Sequence, residues 1–308
     1  MTDPKGSSEE EFFQQVRQGH VFSLDAEFDD HEPRQLVVIS QTCDVVLPKR
    51  PTVILADVVT LAGADRSQAA TAANPRFVAM PLLGTSQFAD LCFVEAHKKE
   101  VLIGRAYTPG IDIDDEQLKR DFSLSLTRWF GRFPFPDNVV YWLRPLEHVI
   151  REKYRKQSTL GELLRELVVE IRVEEASQWS QAPYRLTVHT IVRAEALPTL
   201  ADGVPELTEF AQSLRDPEDR IKSPAALADL LANTFDVHER QHILDALAES
   251  FATLCKPPKD LGEQAEVVGA AVSAVEWQLW GDDEFPLARV RKSEPLDLEY
   301  LSEPDHRL

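Results

Sequence analysis

Two spacing patterns of apolar residues divide the chain. Short β-branched runs between turn residues predict strands, and these runs cover residues 20–24, 35–40, 52–59, 76–80 and 100–107. From Asp112 to Phe130 the apolar positions recur every three or four residues, which predicts a helix. Short strands at this spacing are typical of a small barrel or a curled sheet. We therefore expect an α+β protein, with a small β-barrel-like N-terminal domain followed by a helix-rich, mixed α/β C-terminal domain.

The second half of the chain predicts both helices and strands. Helices are expected near 138–156 and over 160–166 and 263–280, and strands over 167–173, 185–192 and 287–290. Ser223 before Pro224 is typical of a helix start, and Asp236 with Glu239 resembles a capping box. The predicted domains are a tail with a short helix at 1–18, a β-rich domain at 19–110, a basic, aromatic helical connector at 111–156 and a mixed domain with an acidic tail at 157–308.

Composition limits the class of protein. With 308 residues, 43% hydrophobic and 28% charged, the chain is long enough for two domains and too apolar for a disordered protein. No apolar run approaches the roughly 20 residues of a membrane span, and the acidic residues 1–11 do not fit a signal peptide. Cys43, Cys92 and Cys255 lack metal-ligand spacing and are odd in number. We expect a cytoplasmic protein with no membrane partner.

The charge of the chain is unevenly distributed. A net charge of −19 argues against general affinity for nucleic acid. Residues 200–308 contain 23 acids and 10 bases, whereas residues 117–156 contain 9 bases and 4 acids among many aromatic residues. Bases among aromatic side chains are typical of a nucleic-acid surface; alternatively, the bases pair with the acidic C-terminal half, which we favour. The candidate contact residues are Arg128, Arg132, Arg151 and Arg155.

The most reactive residues follow an apolar strand. The β-branched run 36–39 leads into Ser40-Gln41-Thr42-Cys43-Asp44, and strand ends often present functional groups. Cys43 with Asp44 is a candidate catalytic pair, because a thiolate is a strong nucleophile where a base or positive field lies nearby. Ser40, Gln41 and Thr42 are candidate ligand or partner contacts. We favour the alternative to catalysis, a structural or ligand-contacting turn; the histidines that folding could bring to the thiol are His20, His31 and His97.

A second candidate site is the segment His238-Glu239-Arg240-Gln241-His242. It matches the H-E-x-x-H pattern, in which two histidines one turn apart bind Zn²⁺ and the glutamate is the general base. On the predicted helix, however, His238 and His242 lie opposite the apolar face, and Arg240 lies within that face. We favour a solvated first helical turn. The expected cofactor is therefore none, with zinc as the alternative.

The first third of the chain resembles known proteins in two ways. The segments 19–22, 36–44 and 53–58 together resemble a scattered group of uncharacterised bacterial proteins that share an I-S-Q-S/T-C-D phrase. The order of strands is also similar to the opening of the MazF/PemK-type toxin barrel, an SH3-like fold. Ribonuclease activity is not carried over, because Pro33-Arg34 reverses the toxin's Arg-Pro and Ser40-Gln41 matches no catalytic arrangement. The resemblance implies a gene from mobile or phage-defence neighbourhoods.

Two functions are compatible with these patterns. We favour a non-catalytic accessory or regulatory binding protein of a bacterial system with a protein partner, because no complete catalytic set is present in the motifs. The alternative is a hydrolase or nuclease that acts through Cys43 and Asp44, or through a zinc ion at His238 and His242. Nucleic acid is the alternative partner, through residues 117–156.

Overall fold

A computed structural model describes residues 11–24, 34–72, 74–131, 133–177, 179–198 and 208–297. The chain divides into two compact units, Met1–Arg132 and Phe133–Leu308. The boundary falls inside the segment 111–156, so the two helices predicted there belong to different units. Helices and strands are both abundant, and the first unit contains a curled, six-stranded antiparallel half-barrel sheet. The predicted α+β class, with a barrel-like N-terminal part, is confirmed.

The strands of the first unit are arranged in the order β4-β5-β3-β2-β1-β6. They are β1 (His20–Leu24), β2 (Arg34–Val38), β3 (Thr52–Thr60), β4 (Phe77–Ala79), β5 (Gln87–Lys98) and β6 (Tyr107–Pro109). The helices between and after them are α1 (Thr42–Val46), α2 (Gly63–Ala70) and α3 (Glu116–Phe130). A helical turn at residues 11–13 precedes β1, and a 3-10 turn, Lys99–Leu102, follows β5.

Both faces of this sheet are packed at β2. Along β2, Leu36 and Val38 belong to one apolar cluster with Phe13, whereas Val37 belongs to a second cluster with Phe122 of α3. Successive side chains of a strand point to opposite faces, so a continuous apolar run suits a strand that is buried on both sides. The packing explains why this segment is uniformly apolar and ends abruptly in polar residues.

One predicted strand of the first unit is wrong. The segment 100–107 is mainly a 3-10 turn and loop, and the strand is β5, which ends at Lys98. Polar residues such as Glu95 interrupt the apolar alternation of β5, and a register shift opposite Ala56 and Asp57 breaks its pairing with β3. The apolar Leu102 is fully buried from the 3-10 turn instead.

The second unit has a four-stranded sheet in the order β10-β7-β8-β9. Its strands are β7 (Val168–Glu175), β8 (Tyr184–Val192), β9 (Val272–Gly281) and β10 (Ser293–Pro295). Its helices are α4 (Asp137–Tyr154), α5 (Thr159–Glu166), α6 (Thr208–Ser213), α7 (Pro224–Asn233), α8 (Val237–Leu254), α9 (Ala265–Ala271) and α10 (Leu287–Val290). Leu143 of α4, Val188 of β8 and Phe251 of α8 share one apolar core.

The predicted N-cap residues of two helices, Ser223 and Asp236, are confirmed, whereas two other predicted elements are wrong. The Ser223 hydroxyl accepts from the Ala226 N–H, and the Asp236 carboxylate accepts from the N–H groups of His238 and Glu239. The helix expected over 263–280 ends at Ala271, where the chain continues as the strand β9. The strand expected over 287–290 is the helix α10, and β10 follows it. No helix in the described part of the chain is long and apolar enough to cross a membrane.

Candidate functional site

The motif after β2 lies beside a groove of about 860 Å³ in the first unit. Its walls come from residues 15–18, from Thr42 and Cys43 at the start of α1, from residues 111–114 and from one face of α3. Ile111, Ile113 and Phe122 supply its apolar lining, and its charged lining residues are Arg17, Asp114, Glu116, Lys119 and Arg120. This volume is in the range of pockets that bind small ligands or short peptides.

Ser40 closes the end of β2 against β3. Its hydroxyl accepts from the Ile54 N–H at 2.8 Å, while the backbone N–H groups of Ile39 and Ser40 donate to the Ile54 carbonyl. The Gln41 carbonyl then accepts from the Asp44 N–H and begins α1. Ser40 is therefore a structural residue of the turn, and the side chain of Gln41 is exposed.

Lys99 holds the other end of α1. Its ammonium group donates to the carbonyls of Asp44, Val45 and Leu47 and lies 5.2 Å from the centre of the Phe13 ring. Burial lowers the pKa of Lys99, an effect that the nearby Asp44 carboxylate opposes. The last carbonyls of a helix lack partners within the helix, so this cation stabilises a helix of only five residues.

Gln18 connects three walls of the groove. Its backbone N–H donates to the Thr42 hydroxyl at 3.1 Å, and its side-chain amide donates to the Ile39 carbonyl at 2.9 Å. Its amide oxygen accepts from the Ser123 hydroxyl of α3 at 2.9 Å. The positions of the motif and of α3 are thus fixed relative to each other by one side chain.

Cys43 and Asp44 do not form a pair. Cys43 is exposed on the groove wall, and its thiol lies 3.6 Å from the amide oxygen of Gln41. Asp44 is outside the groove lining, and its carboxylate lies 3.5 Å from Arg50. An amide oxygen is too weak a base to activate a thiol. Among the described residues, the side chain that contacts the thiol is therefore not the general base that the catalytic hypothesis needs.

The described histidines of this unit have other contacts. His20 is buried and stacks on Tyr107, and its Nδ1 accepts from the Arg17 N–H. Burial and the nearby Arg17 lower the pKa of His20. His97 lies 3.1 Å from the Glu95 carboxylate. His31 lies outside the described residues, and no histidine lines the groove within the described ranges.

Two of the four candidate arginines contact groups in their own units. Arg128 donates to the Ala72 carbonyl at 2.6 Å. Arg151 lies 3.0 Å from Glu147 of the same helix, rather than against the C-terminal half. Arg155 is exposed at the end of α4, and Arg132 lies outside the described residues.

The histidines of the H-E-x-x-H segment lie on the first turns of α8. His242 packs edge-on against Phe210, with ring centres 6.5 Å apart. Arg240 donates to the carbonyls of Leu231 and Thr234, so it caps the end of α7 instead of disrupting the apolar face. In the described part of the chain no three His, Cys, Asp or Glu side chains are grouped to hold a metal ion. His238 and His242 therefore lack a third ligand there.

Several groove residues carry no motif in the sequence. Gln18 and Ser123 are far from the motif along the chain, and only folding brings them together. Lys119 and Arg120 lie within the basic segment 117–156, so the local charge excess was the available signal. Arg17 lies in an acidic N-terminal stretch that contains one other base, Lys5, and gave no signal.

Comparison with known proteins adds no family. No model of a known protein family matches the chain, and no curated protein matches it. The resemblance to the I-S-Q-S/T-C-D group and to the toxin barrel stays a prediction. The function is therefore inferred from the groove.

Proposed function

We propose that the protein is a non-catalytic accessory or regulatory binding protein of a bacterial system, and that the groove beside Thr42 and Cys43 binds a segment of a protein partner. The observation that carries the proposal is the setting of Cys43, an exposed thiol on an open groove wall whose neighbour is an amide oxygen. A phage-defence context rests on the resemblance alone and remains a prediction.

The construction of the groove supports binding. Ser40, Lys99 and Gln18 each hold one part of its wall through hydrogen bonds to the backbone. A surface that is ordered before its ligand arrives loses less conformational entropy on binding. Such a groove suits stable recognition, whereas general-base activation of Cys43 would need a base within hydrogen-bond distance of the thiol.

A photo-crosslinker placed on Cys43 tests this proposal. A Cys92→Ser variant labelled at Cys43 with a benzophenone maleimide is irradiated in lysate of the native host. We expect one defined protein adduct, which should disappear when unlabelled wild-type protein is added in excess. The matched control is Cys43→Ser labelled at Cys92, which is also exposed but lies outside the groove lining.

Two results would contradict the proposal. One is the absence of a defined adduct from Cys43, or the same adducts from Cys92. The other is substrate turnover that depends on the Cys43 thiol, which would favour the hydrolase hypothesis.

A further inference from the structure

The cations that line the groove differ in their partners. Lys119 lies 2.5 Å from Glu116 on the same helix, so these two charges compensate each other. Arg17 donates to the backbone carbonyls of Gln14 and Val16. Arg120 is exposed and has neither an ion pair nor a hydrogen bond with any residue in the described ranges. Two guanidinium groups therefore face the groove without a carboxylate partner among the described residues.

One acid opposes them. Asp114 lines the same groove, and its backbone N–H donates to the Asp112 carboxylate at 3.0 Å. With three bases and two acids, the groove-lining residues carry one positive charge in excess, in a protein of net charge −19. A guanidinium offers a planar pair of donors that matches the two oxygens of a carboxylate.

The length of the groove wall indicates a segment of chain. Glu116, Lys119, Arg120 and Ser123 line it from one face of α3, and at 1.5 Å per residue they span about 10 Å. An extended peptide covers this distance with about three residues. A single inorganic anion would leave most of the wall empty. A base-stacking ligand is disfavoured, because the aromatic side chain of the described lining, Phe122, is buried.

We infer that the groove binds an acidic segment of the partner protein. Arg17 and Arg120 bind the carboxylate side chains of this segment, whereas Asp114 repels them. This inference rests on the proposed binding function and specifies the chemistry of the partner.

Two alkylating reagents test the anion preference directly. Iodoacetate is an anion, whereas iodoacetamide is neutral. The rate of alkylation by iodoacetate divided by the rate with iodoacetamide, at the same thiol, therefore reports the local electrostatic field, because the thiol's own reactivity cancels. We expect the ratio at Cys43 to exceed that at Cys92 by at least about threefold at low ionic strength, and the excess to vanish at about 0.5 M salt. Mass spectrometry of the two cysteine peptides measures both rates in one sample.

Variants with opposite expected signs sharpen this test. Arg17→Gln and Arg120→Gln should each lower the Cys43 ratio, and Asp114→Asn should raise it. Arg66→Gln is the matched control, because Arg66 is an exposed arginine of α2 outside the groove lining. Equal ratios at the two cysteines, or a Cys43 ratio that Arg120→Gln leaves unchanged, would overturn the inference. Arg120 is exposed, so its replacement does not compromise folding.

Peptide probes distinguish the source of the anion. N-acetyl-pentaglutamate amide should protect Cys43, and not Cys92, from iodoacetamide, whereas the pentaglutamine peptide should not. Arg120→Gln should weaken this protection about tenfold, or about 1.4 kcal/mol. Protection by inorganic phosphate that equals protection by pentaglutamate would overturn the assignment to a peptide segment.

The two proposals fail in different ways. If Cys43 crosslinks to one partner but the iodoacetate-to-iodoacetamide rate ratio is the same at Cys43 and Cys92, the proposed binding function stands and the proposed acidic segment is wrong. A high ratio at Cys43 with no crosslinked partner would remove the binding function.

Discussion

Lys99 is a buried cation whose hydrogen-bond acceptors are three backbone carbonyls at the end of α1. The side chain replaces the contacts that the helix cannot make for itself. Because α1 carries Thr42 and Cys43, the position of the groove wall depends on a residue that touches neither of them.

Replacing Lys99 with methionine should therefore destabilise the first unit. Lys99→Met keeps the length of the side chain but removes the Lys99 donor from the carbonyls of Asp44 and Val45, at a cost of at least about 2 kcal/mol. Lys98→Met is the control, because Lys98 is the exposed neighbour on β5, and we expect a change within about 0.5 kcal/mol. Urea unfolding measures both; equal losses would show that the hydrogen bonds of Lys99 contribute nothing specific.

Gln18 permits a second test at the scale of one residue. Gln18→Ala removes the amide contacts to Ile39 and Ser123, and we expect a loss of about 1–3 kcal/mol and a changed Cys43 alkylation rate. Gln15→Ala truncates an exposed groove residue of the same type and should leave stability unchanged within about 0.5 kcal/mol. An unchanged Gln18→Ala variant would contradict the role of Gln18 in joining the walls.

The sequence indicates some of these residues and not others. The reactive motif after an apolar strand could be found, because both the strand pattern and the polar residues are local. The role of Gln18 could not, since its contact with Ser123 spans 105 positions. The contact of Lys99 with Asp44 spans 55 positions, and neither pair has a local signature.

At the scale of elements, a chain of polar contacts joins three strands and a helix of the second unit. The Trp280 indole of β9 donates to His189 Nδ1 at 3.1 Å, and His189 Nε2 lies 3.1 Å from Glu174 of β7. Arg289 of α10 donates to both carboxylate oxygens of Glu174. An indole can only donate, so the neutral imidazole of His189 has its proton on Nε2 and donates to Glu174.

This chain of contacts makes the second unit sensitive to acid. Burial lowers the pKa of His189, against the effect of the Glu174 carboxylate. Burial alone would raise the pKa of Glu174, but hydrogen bonds from Arg289 and His189 outweigh it and lower that pKa. When the pH falls below about 6.5, the unfolded chain binds a proton at position 189 before the folded chain does, so the stability decreases. Glu174 adds a second loss below its usual pKa.

We expect the unfolding free energy of the second unit to fall between pH 7.5 and 5.5, by at most about 1.4 kcal/mol per pH unit from this histidine. His189→Gln should reduce that dependence, and His148→Gln should not, because His148 is exposed on α4. Hydrogen exchange of the β8 amides in urea follows this unit alone. Identical pH dependence in wild type and His189→Gln would contradict this assignment.

The strand β9 shows where local patterns stop being informative. Its residues follow α9 without a turn signal, and the apolar residues of 265–280 also fit a helical period. The strand forms because nine positions of β8 pair with it in parallel, from Tyr184 to Val192. Strand propensity depends strongly on such context, so the pairing partner decides the conformation. The helices α3, α4, α5 and α8, which have clear periods or caps, were predictable.

At the scale of the whole molecule, charge bears on the choice between partners. A protein of net charge −19 should repel a polyanion. In the basic segment, Arg151 compensates the buried Glu147, whose pKa is raised by burial. We expect no salt-dependent shift of a short single-stranded DNA by the wild-type protein in a gel titration at two salt concentrations.

Charge-reversal variants of Arg151 and Arg155 are measured in the same DNA titration, and their stability is measured by urea unfolding. Arg151→Glu should cost about 1–3 kcal/mol, because it removes the partner of a buried carboxylate. Arg155→Glu, at an exposed position of the same helix end, should change stability by less than about 0.5 kcal/mol. If the wild-type protein binds DNA in a salt-sensitive manner and the double variant Arg151→Glu/Arg155→Glu does not, the protein is a nucleic-acid-binding protein instead.

The order of strands in the second sheet has a consequence for synthesis on the ribosome. Its two central strands, β7 and β8, form a hairpin, but both outer strands, β9 and β10, follow about 80 residues or more later in the sequence than β8. The first unit is complete when its last helix emerges, whereas the nascent second unit exposes two unpaired strand edges until residues 272–295 have been synthesised. Such edges are templates for aggregation. Premature termination before Val272 should therefore leave a folded first unit attached to an insoluble remainder.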